Sequence, residues 1–114
     1  MITIVNCHYQ TPDHYCGREY KGYPASALRN RFIEGVHGNL HQVVERFARD
    51  LWKRVQAHEQ DVLDELRVIV ELEKSRGAIT LGCWHNTRPC HVERIIAAVR
   101  SEQVLAILDE WMPF

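Results

Sequence analysis

Between a β-branched run at the N-terminus and an apolar run at 78–84 lie two long segments with helical periodicity, and that order limits the possible fold more than any other feature. Ile2, Ile4 and Cys7 belong to a short run that ends in the turn-forming Thr11-Pro12-Asp13, so a strand followed by a loop is expected. Behind Asn39, a good N-cap, Leu40, Val43, Val44, Phe47, Leu51 and Val55 recur on one helical face. A second stripe of Val62, Leu63, Leu66, Ile69 and Val70 runs from about Glu59 to Lys74, with Glu73 its only polar position. Ser75-Arg76-Gly77 closes that helix, and Ala78 to Trp84 reads as a buried strand. A strand joined to a later strand through helices favours parallel pairing, because only a crossover of this length returns the chain to the same end of a sheet.

The rest of the chain extends the pattern. Tyr15-Cys16 reads as a second, very short strand. Pro89 suits the first turn of a helix carrying Val92, Ile95, Ile96 and Val99, and Ser101 caps a last helix over about 101–112 with Val104, Leu105, Leu108 and Trp111. The expected fold is therefore α/β, a small and mainly parallel sheet flanked by about four helices in one compact domain over residues 1–114. From Gly17 to Gly38 the chain holds four of its six glycines, Pro24 and no sustained period. An irregular segment of that length is usually functional or mobile, and it has room for a further strand.

Composition narrows the function classes. With 14 basic and 15 acidic residues the formal net charge is −1, which gives no overall electrostatic case for duplex DNA or acidic membranes. Any anion site must be local. No apolar run approaches the ~20 residues of a membrane span, and Met1 to Asn6 has no basic stretch ahead of a long apolar one, so a cytoplasmic protein is expected. A domain of this size buries roughly two-thirds of its unfolded surface and needs neither disulfide nor metal for its core. Its four cysteines are then better read as reduced thiols, catalytic groups or metal ligands than as a disulfide framework, although an oxidising compartment would permit two bridges.

The densest chemistry is Cys83-Trp84-His85-Asn86-Thr87-Arg88-Pro89-Cys90-His91, two thiols and two imidazoles between a strand and a helix. In open α/β sheets, ligands bind beyond the carboxyl ends of the strands, where the next helix offers free N–H groups to an anion. A thiol at Cys90, in the first turn, would have its pKa lowered by the helix terminus and by a nearby imidazolium. It becomes a candidate nucleophile with His91 or His85 carrying the proton, and Cys83 joins it as a candidate catalytic group. Cys83 and His85 share a strand face and could supply half of a zinc site, completed by Cys90 and His91, yet neighbouring helical residues point about 100° apart and the spacing matches no common zinc motif. The competing reading makes Cys83 a small buried hydrophobe, Cys90 helix packing and both histidines solvated.

These residues resemble the bacterial and phage family catalogued as domain of unknown function 4326. Asn6, Tyr15-Cys16-Gly17-Arg18, Leu28-Arg29-Asn30-Arg31-Phe32, Cys83-Trp84 and Pro89-Cys90-His91 follow its pattern in order over about residues 2–100. Two positions depart from it: Arg31 stands where the family has Pro, and His85 where it has a second Cys. The resemblance implies an α/β fold and a shared site rather than a particular activity. His85 can replace Cys as a metal ligand, whereas a mechanism needing two thiols at those positions is put in doubt.

Arg18, Lys21, Arg29 and Arg31 fall in the irregular segment beside Tyr20 and Tyr23. Arginine forks match phosphate and carboxylate, tyrosines stack on rings, and Gly17 would let backbone approach a ligand. The leading expectation is a pocket for a nucleotide or similar phosphorylated metabolite, in which Arg18 and Arg31 hold phosphate, Asn30 bonds a ribose or base, and Asn6, Gly17 and Trp84 complete the wall. Cleavage of a glycosidic or phosphate-ester bond by Cys90 and His91 is the enzymatic form of that reading. Alternatives are a protein that sequesters a nucleotide signal unchanged, and a zinc-supported module contacting protein or single-stranded nucleic acid. Small α/β domains often pair as two-fold dimers, so a homodimer is also expected.

Overall fold

The computed structural model describes residues 1–84 and 89–110. Three strands form one sheet: β1 (Ile2–Asn6), β2 (His14–Tyr15) and β3 (Ile79–Cys83), in the order β1-β3-β2 and all parallel. Four helices accompany them: α1 (Leu40–Gln56), α2 (Gln60–Arg76), α3 (His91–Arg100) and α4 (Glu102–Glu110). The fold is α/β, as the order of periodic segments implies, and none of the described helices is long and apolar enough to cross a membrane.

The central strand reads Ile-Thr-Leu-Gly-Cys and is buried at every position except Thr80, as a strand with a neighbour on each side and helices packed against it requires. Its register runs from Ile2 opposite Ile79 to Asn6 opposite Cys83, while His14 and Tyr15 lie opposite Leu81 and Gly82. Asp13 pins the short strand in place: its carboxylate accepts the Thr80 N–H at 2.8 Å and the Arg76 guanidinium at 2.8 Å. Gly82 is required by close approach, because a Cβ there would lie 2.5 Å from Pro12 Cγ and 2.7 Å from Cys7 Sγ.

Asn39 caps α1 as expected, and Gln42 reciprocates by accepting the Asn39 N–H at 2.8 Å in a full capping box. Phe47, Leu51 and Val55 of α1 meet Leu63, Leu66 and Ile69 of α2, Leu81 of β3 and Val92 and Ile95 of α3 in one core. Pro89 lies ahead of α3 instead of in its first turn, and Cys90 is the N-cap. The second strand is displaced by one residue from the expected Tyr15-Cys16, and Trp111 and the end of the last helix fall outside the described residues.

Segment 17–38 is irregular but anchored. Leu28 is fully buried in the core, and Glu65 of α2 accepts hydrogen bonds from Ser26 Oγ and the Ala27 N–H. No further strand forms there. Instead Tyr20 and Tyr23 make an isolated antiparallel bridge around Lys21 and Gly22, which both have positive φ (45° and 88°) as a tight two-residue hairpin turn demands.

Candidate functional site

Because the sheet is parallel, the carboxyl ends of all three strands open at one edge, and backbone bonds fix what gathers there. The Cys7 N–H donates to the Cys83 carbonyl and the Cys16 N–H to the Gly82 carbonyl, each at 2.9 Å. Register alone thus brings Cys7, Cys16 and Cys83 to one end of the sheet, where Cys90 joins them from the start of α3.

Above that edge is an aromatic corner centred on Trp84. Its indole N–H donates to Tyr15 Oη at 2.7 Å, and Tyr15 Oη donates to the Arg18 carbonyl. The rings of His8 and Tyr20 stand edge-on to Trp84, at centroid distances of 4.6 and 5.0 Å, and Tyr23 stacks on Tyr15 at 4.6 Å. The small hairpin at Lys21-Gly22 is what delivers Tyr20 and Tyr23 to this corner. Gly17 serves the corner too: a Cβ on it would lie 2.5 Å from Tyr15 Oη, so its lack of a side chain lets the Tyr15 ring fold back over the chain.

Beneath the corner lies a cavity of about 470 Å³, within the usual range for small-molecule sites. Arg18, Trp84, Cys83, Cys90 and His91 all line it, so one arginine of the basic segment and the sulfur–imidazole cluster face one hollow, whereas Lys21, Arg29 and Arg31 do not line it. Arg18 Nε and Nη2 donate to the Asn30 carbonyl at 3.1 and 2.9 Å, and Nη2 also reaches the Phe32 carbonyl at 3.2 Å. Among the described residues no carboxylate pairs with Arg18. Glu19 and Glu34 also line the cavity, which is therefore mixed in charge.

At the opposite pole, Cys83 Sγ and Cys90 Sγ are 3.2 Å apart, with both residues almost wholly buried. His91, also buried, meets the Cys16 carbonyl with Nε2 at 2.7 Å. A carbonyl only accepts, so Nε2 carries a proton and, in the neutral ring, the lone pair sits on Nδ1, which faces Cys90 Sγ at 3.9 Å. The expectation of an activated Cys90 thiol is corrected here. The hydrogen bond to Cys83 and then burial push its pKa up, outweighing the helix terminus. Cys7 is pushed up to about 11, first by burial and then by the proximity of Cys83, and burial raises Cys16 as well.

A family model described as Domain of unknown function (DUF4326) matches residues 5–101. The chain belongs to that family. No curated protein and no solved structure matches it.

Of the residues that the sequence nominates in this DUF4326 domain, Gly17, Arg18, Asn30, Cys83, Trp84, Cys90 and His91 line the cavity, while Asn6 and Arg31 do not. Arg31 is turned to α1, where Nη2 meets Asp50 Oδ1 at 2.6 Å and Nε meets Oδ2 at 3.2 Å, so its charge is spent on a bidentate pair instead of on a ligand. Asn30 is a strut: its amide donates to the Val43 carbonyl at 3.2 Å and its Oδ1 accepts the Phe32 N–H at 2.9 Å. Asn6 Oδ1 accepts the His8 N–H at 2.8 Å, turning the chain out of β1. Among the described residues no group of three or more His, Cys, Asp or Glu could hold a metal. The zinc set therefore turns on His85, which lies outside the described residues. Sequence reasoning missed the acidic lining from Glu19 and Glu34 and the ring of His8, for which no local pattern gives a signal.

Proposed function

We propose that the cavity binds a nucleotide or a similar phosphorylated small molecule, with Arg18 as the anchor for its anionic group. The observation that carries this reading is the presence, on the same 470 Å³ hollow, of one aromatic corner and one arginine with no carboxylate partner among the described residues. Carbonyls of Asn30 and Phe32 orient the guanidinium without neutralising it, which leaves its full charge for a phosphate. Trp84 and Tyr20 offer apolar ring surface to a base, and Glu19 or Glu34 suits ribose hydroxyls, as acidic side chains do in dinucleotide sites. The acidic lining favours a ligand with a single phosphate over a polyphosphate chain.

Calorimetric titration of the full chain with nucleoside monophosphates, with inorganic phosphate as the reference, tests this. The reading requires that a nucleotide bind more tightly than phosphate alone and that Trp84→Leu erase the difference. Equal weak binding of both ligands, unchanged in Trp84→Leu, would overturn it.

A second reading, in which the bound molecule is cleaved, draws support from one observation, the His91 ring held by the Cys16 carbonyl with Nδ1 toward Cys90. In that form His91 takes the proton of the un-ionised Cys90 thiol as its sulfur attacks the ligand, the ester or glycosidic bond breaks with His91 returning the proton to the leaving group, and water then hydrolyses the covalent intermediate to restore the thiol. Product formation that Cys90→Ala and His91→Ala both abolish, with binding retained, supports cleavage. Recovery of intact ligand from the wild-type protein favours sequestration.

A further inference from the structure

We propose that Cys83 and Cys90 are an oxidisable dithiol that closes to a disulfide when a peroxide enters the cavity. Their sulfurs are already 3.2 Å apart, and a disulfide at about 2.05 Å needs them to approach by only about 1 Å. Cys83 is the last residue of β3 and Cys90 the N-cap of α3, so the bond joins the ends of two rigid elements. Both residues are nearly buried yet line the cavity, which gives a small oxidant its route. Cys16 differs: it is fully buried and does not line the cavity, and its Sγ rests 4.0 Å from the His14 carbonyl.

The chemistry balances with hydrogen peroxide as the two-electron oxidant. One thiol loses its proton and its sulfur attacks a peroxide oxygen; the S–O bond forms, the O–O bond breaks, and hydroxide takes up the released proton to leave as water. The second thiol then attacks the sulfenic sulfur, the S–S bond forms, and the hydroxyl departs with the remaining thiol proton as a second water. Two thiols are oxidised by two electrons in all and one peroxide is reduced to two waters. A small dithiol reverses the change. The inference stands on the sulfur–sulfur contact and does not depend on which ligand the cavity takes.

The full chain treated with hydrogen peroxide, then denatured, alkylated with iodoacetamide and digested with trypsin, gives the test. Because trypsin does not cut the Arg88-Pro89 bond, Gly77–Arg94 is released as one peptide holding both cysteines. The expected peptide is two hydrogens lighter and carries no alkyl group, becomes doubly alkylated after dithiothreitol, and appears while the Met1–Arg18 peptide, which holds both Cys7 and Cys16, stays doubly alkylated. Cys90→Ser should never give the lighter peptide, but the wild-type result decides the matter even if that variant folds poorly. A doubly alkylated peptide after peroxide, a sulfinic acid in place of the bridge, or a bridge to Cys7 or Cys16 would each overturn the proposal.

Discussion

Arg18 spans the carbonyls of Asn30 and Phe32, tying the start of the irregular segment to residues 12 and 14 positions further on. The same guanidinium is therefore both a strap across the loop and the cationic group in the cavity wall. Arg18→Lys keeps the charge and loses the fork, since an ammonium is a point donor. We expect monophosphate affinity to fall about tenfold or more, the scale of one charge-assisted hydrogen bond. Limited trypsin digestion should also cut faster at Arg29 and Arg31. Unchanged affinity and unchanged digestion together would show that Arg18 does neither job.

Glu65 makes the loop's attachment depend on pH. Burial pushes its pKa up, but hydrogen bonds from His14, Ser26 and the Ala27 N–H outweigh that and hold the carboxyl below the usual range. A group whose folded pKa is depressed adds stability above its unfolded pKa, about 4.3 for Glu, and that stability disappears as the pH falls through the folded value. Glu65→Gln should cost about 1–3 kcal/mol at pH 7, the scale of hydrogen bonds to a buried charged acceptor. Urea denaturation at pH 7 and in the acid range below pH 4 checks this: the gap between wild type and variant should shrink on acidification. A gap that widens contradicts the assignment.

The elements that the sequence reveals are those whose cause is local. The stripe from Val43 to Val55 and the Asn39–Gln42 box are set by spacings of three and four residues, so α1 starts where the cap predicts. The basic segment is harder to read because its arginines look alike in sequence and differ only in what faces them. Arg31 meets Asp50, 19 positions away, and leaves the site; Arg18 donates to the Asn30 and Phe32 carbonyls and stays in it. Cys90 is misjudged for the same reason. Its helix terminus is local and visible, whereas the Cys83 sulfur that raises its pKa reaches it only through the return of the chain from β3.

Gly82 tests the packing at the sheet edge where the cysteines gather. A methyl group there meets Pro12 Cβ at 2.6 Å and Cys7 Sγ at 2.7 Å, and although the thiol can turn aside, the Pro12 ring cannot yield without moving the chain that carries it. Gly82→Ala should destabilise the protein by about 1–3 kcal/mol, the usual range for overpacking. Thermal melting followed by circular dichroism measures this, and a variant that melts with the wild type would mean that the edge is looser than the register implies.

Observation of Trp84 and Arg18 in a single titration asks most directly whether one ligand occupies the hollow they share. In nitrogen-15 correlation spectra, with the Trp84 indole signal assigned from Trp84→Phe, adenosine monophosphate should shift the Trp84 Nε1–H and the Arg18 Nε–H together along one binding curve. Absence of movement at both signals, or shifts confined to the exposed arginines of α1 such as Arg46 and Arg49, would contradict a nucleotide site beneath the aromatic corner.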